Sequence, residues 1–96
     1  MKYFHRTQVS PDAVITQAAS FFGARLTPAG EAARRRAFSG SLGSITVTAA
    51  PEGGHNTLVT VVTDQPGESE IDKLAKHFLG TVHVLAEPGH VLRGDY

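Results

Sequence analysis

The alternation of hydrophobic and polar residues predicts a β-hairpin in the middle of the chain. Isoleucine, valine and alanine alternate with serine and threonine over residues 44–50, and a second aliphatic-rich run covers residues 57–63 after a turn that contains two glycines. Successive side chains of a strand point to opposite faces. The second strand carries aliphatic residues on both faces, Val59 and Val61 on one and Leu58 and Val62 on the other. We therefore expect both faces of this strand to be buried against other residues, of this chain or of a partner.

Two further segments have apolar residues at helical spacing. The first covers residues 11–22, where Ser10 is a good N-cap and Pro11 suits the first helical position. The second opens near Ser69, which with Asp72 three residues later resembles a capping box, and stops before Pro88, since proline cannot continue a helix. Their apolar stripes are predicted to face a sheet. The stripe residues are Val14, Ala18, Phe21 and Phe22 in the first helix and Ile71, Leu74, Phe78, Val82 and Leu85 in the second.

The remaining segments are less regular. Residues 2–9 mix aromatic and charged side chains in a short stretch that favours a strand, and residues 34–38 become extended before a glycine-containing turn at 39–43. Between them, Pro28 and Gly30 favour an irregular or edge segment.

The order strand, helix, strand, strand, strand, helix favours an α+β fold in two layers. We expect one domain over residues 1–96, built on a four-stranded, mostly antiparallel sheet with both helices on one face. The other face is left uncovered. Residues 89–96 are interpreted as a flexible or docking tail, with Val91, Leu92 and Tyr96 as its docking residues.

Composition narrows the function classes. Nine basic and nine acidic residues give a formal net charge of zero, which argues against a general nucleic-acid binder because no broad positive field exists. The chain has no cysteine, so disulfides and thiolate chemistry are excluded. No apolar run approaches the roughly 20 residues that span a bilayer, and no hydrophobic leader follows Met1. We expect a cytoplasmic protein, without excluding a contact at a membrane-bound assembly.

The titratable residues do not predict a catalytic or metal site. His77 and His83 are six residues apart, whereas two ligands on one helix face need a spacing of three or four. The acidic residues near the second helix, Asp64, Glu68, Glu70 and Asp72, are interpreted as stabilising its N-terminus. No G-x-S-x-G elbow or other activated nucleophile is present. We therefore expect no enzyme activity, no cofactor and no metal.

The double-sided strand at residues 57–63 favours a protein-interaction module, either a homo-oligomer or an accessory subunit docked on a larger complex. The interface would use the alternate side chains that share one face of the hairpin and of the neighbouring strand. The same face also carries either Tyr3 or Phe4. Arg35 lies within a run of three arginines that suits a charged edge strand or a carboxylate-bearing partner. The candidate interface residues are Leu58, Thr60, Val62, Thr46, Thr48 and Arg35.

A small-ligand-binding domain is the alternative. It requires a cavity between the sheet and the helices. Such a cavity would be lined by Phe21, Phe22, Phe38 and Phe78.

Overall fold

The computed structural model describes residues 1–86 and has an α+β fold with one antiparallel sheet and two helices. The elements in chain order are β1 (Lys2–Thr7), α1 (Pro11–Gly23), β2 (Thr27–Ala32), β3 (Arg35–Gly40), β4 (Gly43–Glu52), β5 (Asn56–Thr63) and α2 (Glu70–Ala86). The strands lie in the order β1-β5-β4-β3-β2. The predicted docking residues Val91, Leu92 and Tyr96 lie outside the described residues, so the docking tail stays a prediction.

The sheet has five strands, so the predicted four-stranded sheet was wrong. The additional strand is β2, which pairs only with β3 and whose register shifts between Pro28 and Gly30. Most of its side chains are exposed. Because β2 lies at an edge, it needs no apolar alternation and tolerates a proline, which lacks an N–H.

Both helices begin at the predicted caps. The Ser10 hydroxyl accepts a hydrogen bond from the Ala13 N–H at 3.2 Å, and α1 ends at Gly23. The Ser69 hydroxyl accepts from the Asp72 N–H at 3.3 Å at the start of α2. These bonds satisfy N–H groups that have no partner within the first turn of a helix.

One hydrophobic core lies between the sheet and the helix layer. Its side chains come from one face of β3, β4 and β5 and from the inner stripes of both helices. Leu85, predicted as part of the second stripe, is instead exposed at the end of α2. The largest fully buried members are Phe22, Phe78, Ile45, Ile71, Val14, Val47, Val59, Val61 and Val82. The opposite face of the sheet has no helix against it within the described residues.

Candidate functional site

The uncovered side of the sheet, here called the sheet face, contains all six predicted interface residues. Strand register aligns Thr60 with Thr48, and Thr48 in turn with Arg35. Val62 is aligned with Thr46, and Leu58 lies two residues from Thr60 on the same side of β5. Since paired residues of neighbouring strands share a face, these side chains form one continuous surface. Their role in an interface stays a prediction.

The structure also determines the orientation of β5, which the sequence left open. Val59 and Val61 are fully buried in the core, whereas Leu58 is half-buried and Val62 is 39% exposed. The outward residues are therefore Leu58 and Val62. An aliphatic pair thus lies on the sheet face, where only polar residues are expected in a strand with one solvated side.

Phe4 adds an aromatic ring to this aliphatic pair. It is aligned with Thr60, next to Leu58 and Val62 on β5, and is 61% exposed. The Lys2 ammonium lies 5.8 Å from the centre of the Phe4 ring. An open groove of about 540 Å³ runs beside Phe4 and Leu58. The apolar part of the sheet face is therefore concentrated on β1 and β5.

The charges of the sheet face are mostly positive. Lys2 and Arg6 share the face of Phe4 on β1, and Arg35 lies across the sheet on β3. The Arg6 Nε donates to a Glu52 carboxylate oxygen at 2.7 Å. This hydrogen bond and the charge of Glu52 raise the pKa of Arg6. Lys2 and Arg35 have no such carboxylate partner among the described residues, so their charges are not balanced on the face itself.

Tyr3 points the other way and takes part in a buried polar cluster that the sequence analysis missed. Its hydroxyl donates a hydrogen bond to the carboxylate of Asp72, which is fully buried. The Glu68 N–H donates to the other Asp72 oxygen at 3.0 Å, and the Lys76 ammonium lies 3.3 Å from it. Burial opposes ionisation of Asp72, but the bond from Glu68 and the Lys76 charge outweigh it and lower its pKa. The cluster connects β1 to α2.

The acidic residues near α2 therefore have separate structural roles. A carboxylate oxygen of Asp64 accepts a hydrogen bond from the Ser44 N–H at 2.8 Å, which lowers the pKa of Asp64. This bond holds the end of β5 to the start of β4. Asp72 is committed to the buried cluster. Asp64 and Asp72 thus bond to different partners and not to each other.

Two histidines approach each other between β1 and α2. The rings of His5 and His83 are 6.2 Å apart between centroids, in an edge-on arrangement. Burial lowers the pKa of His5, and the proximity of His83 lowers it further. Sequence spacing gave no signal of this pair because β1 and α2 meet only in the folded chain. Within residues 1–86, no group of three or more metal-ligating side chains is brought together.

The phenylalanines of the ligand-binding alternative pack on one another. Phe22 lies 4.9 Å from Phe21, 5.1 Å from Phe78 and 5.4 Å from Phe38 between ring centroids. All four are buried in the core. The rings thus fill the space that a ligand would need, and this packing gives the alternative no support.

Comparison with protein families, with curated proteins and with solved structures finds no match to this chain. No helix within the described residues has both the length and the hydrophobicity to cross a bilayer. The sheet face is therefore the candidate site on physical grounds alone.

Proposed function

We propose that the protein acts without catalysis, by binding another protein through the sheet face. The observation that supports this is the aromatic and aliphatic surface on two neighbouring strands, made of the exposed Phe4 and Val62 and the half-buried Leu58. The Phe4 side chain has threonines and cations around it. An apolar centre with a polar rim is typical of a protein interface. We expect the protein to work as a homo-oligomer or as an accessory subunit of a larger complex, in the cytoplasm.

The size of the sheet face suits a small interface. Strands about 4.8 Å apart and a rise of about 3.4 Å per residue give five strands of this length a flat area of roughly 500 Å². A standard interface takes about 800 Å² of accessible surface from each partner. The sheet face therefore needs contributions from its rim to reach that size.

The binding free energy available from the apolar side chains is likewise too small without contributions from the rim. Full burial of three large apolar side chains contributes at most roughly 9 kcal/mol. Phe4, Leu58 and Val62 are already partly covered by their neighbours, so their contribution is smaller. Micromolar affinity takes about 8 kcal/mol in addition to the cost of ordering both partners. We expect the threonine hydroxyls and the cations to supply the rest.

The test is a charge placed in the centre of the sheet face. Val62→Asp should leave the fold intact and disperse the assembly, because the new carboxylate would lose its hydration in the interface. Leu42→Asp is the matched control, since Leu42 is 41% exposed against 39% for Val62 but lies in the turn between β3 and β4.

Two measurements apply this test. Light scattering over micromolar concentrations detects a homo-oligomer, and the native mass in an extract of the source cells detects a larger complex. We expect Val62→Asp to shift one of these masses to that of the monomer, with Leu42→Asp unchanged. A wild-type monomer in both measurements would contradict the proposal.

A further inference from the structure

The outer edge of β1 has free backbone groups. β1 pairs with β5 on one side, and no described residue pairs with its other side. Met1 and Thr63 exchange two hydrogen bonds, Met1 N to Thr63 O at 2.9 Å and Thr63 N to Met1 O at 2.8 Å. Because bonded and non-bonded pairs alternate in an antiparallel ladder, every second residue of β1 directs its N–H and C=O outward. These residues are Lys2, Phe4 and Arg6.

The opposite edge of the sheet differs from this one. β2 contains Pro28, which lacks an N–H, and a register shift between Pro28 and Gly30. Both features hinder the addition of another strand. β1 has neither a proline nor a register shift within Lys2–Thr7. Strand addition is therefore favoured at β1 alone.

The charges along β1 select the kind of strand that fits. Lys2 and Arg6 lie on either side of Phe4 on the sheet face. An antiparallel copy of β1 centred on Phe4 would set Lys2 opposite Arg6, and like charges directly opposite each other are destabilising. A strand with acidic residues at those two positions would instead form opposite-charge pairs. The terminal guanidinium nitrogens of Arg6 stay available, because its bond to Glu52 uses Nε.

We propose that β1 binds an extended acidic segment of another protein, which adds a sixth strand to the sheet. In this segment an acidic, an apolar and a second acidic residue alternate opposite Lys2, Phe4 and Arg6. Backbone bonds give such complexes their affinity, and alternate side chains give them specificity. The groove of about 540 Å³ beside β1, lined by Phe4, His5, Arg6 and Leu58, leaves open space next to this edge. The inference rests on the proposed protein-binding function. It specifies the outer edge of β1 as the binding edge and an acidic extended segment as the partner.

The test uses the full chain and the capped peptide Ser-Glu-Thr-Val-Thr-Glu-Ser as the probe. Binding is followed by amide NMR. We expect the exchange of the Phe4 and Arg6 N–H groups with solvent to slow on binding. The N–H groups of Tyr3 and His5 already bond to β5 and should change little.

Two matched comparisons separate strand addition from general charge attraction. N-methylation of the peptide valine, whose N–H would face β1, should weaken binding about tenfold or more, since a hydrogen bond is lost. N-methylation of a peptide threonine, whose N–H would face solvent, should have little effect. Lys2→Glu should weaken binding, whereas Lys73→Glu, an equal charge change at an exposed residue of α2, should not.

Each outcome is decisive. Equal effects of the two N-methyl groups, or of the two lysine variants, would overturn the proposal, as would unchanged exchange at Phe4. If that happens while Val62→Asp still disperses an assembly, the edge proposal fails and the proposed function of the sheet face stands. If the native masses also show only a monomer, both fail.

Discussion

Replacing Tyr3 with phenylalanine removes one hydroxyl and leaves the ring in place. In the wild type this hydroxyl donates to the buried Asp72 carboxylate, and the Lys76 ammonium lies 5.8 Å from the centre of the Tyr3 ring. Tyr3→Phe keeps the ring contact and leaves a buried carboxylate with one donor fewer. A hydrogen bond to a charged group contributes about 1.5–3 kcal/mol. We therefore expect a loss of about 2 kcal/mol in the free energy of unfolding.

A loss of this size is measurable by thermal denaturation. For a domain of this length, a loss of 1 kcal/mol in the free energy of unfolding lowers the unfolding temperature by roughly 4–8 °C. Tyr3→Phe should therefore lower the midpoint of thermal unfolding by roughly 8–16 °C at pH 7. Urea denaturation gives the same free energy independently. In an Asp72→Asn background the effect of Tyr3→Phe should shrink, because a neutral acceptor forms a weaker bond.

The pH dependence has a defined sign. Folding lowers the pKa of Asp72, so its ionised form stabilises the folded state above the unfolded value of about 3.9. That contribution is lost as the pH falls through the lower folded pKa. The contribution of ionised Asp72 to the stability of the wild type should thus be complete at pH 7 and decrease only below about pH 4. A midpoint within 2 °C of wild type at pH 7, or an equal loss in the Asp72→Asn background, would refute the reasoning.

Three further predictions concern the scaffold. Gly43 has a φ of +128°, and an added Cβ would lie 2.6 Å from an Asp64 oxygen. In urea denaturation, Gly43→Ala should therefore lower the free energy of unfolding by about 1–3 kcal/mol. The control Gly53→Ala, with open space around it, should lower it by less than about 1 kcal/mol. Phe22→Ala should cost about 3–5 kcal/mol because the ring is fully buried, and a loss near 1 kcal/mol would contradict the packing. The NMR titration of His5 should show a pKa below 6.5 that rises only partway in His83→Gln, since burial is the larger cause; full recovery would contradict this order.

Most of the fold was predictable because local signals agreed with the tertiary arrangement. Ser10 and Ser69 cap the two helices as their positions indicate, and the glycine-rich turn joins β4 to β5. β2 lacked such a signal, since an exposed edge strand is held by backbone bonds to β3 rather than by buried side chains. Its apolar pattern is accordingly weak.

The candidate site was only half predictable, for a related reason. The pattern of β5 showed that both faces were aliphatic, but the choice between Val59 and Leu58 as the outward residue depends on where the helices pack. Asp72 was interpreted as a helix-terminus charge, and its burial arises from contact with Tyr3, which is distant in sequence. Contacts between distant segments leave no trace in the local pattern.

The position of β1 has a consequence for how the protein is made. Strands β2 to β5 follow one another as hairpins, so each can pair soon after the ribosome releases it. β1 emerges before β5 but pairs with it, and the pair Lys2 and Val62 closes a loop of about 60 of the 86 described residues. β1 therefore cannot form this pairing until synthesis has passed β5. Until then Phe4 lacks its neighbours on β5, so the unpaired strand exposes an apolar side chain while the rest of the sheet forms.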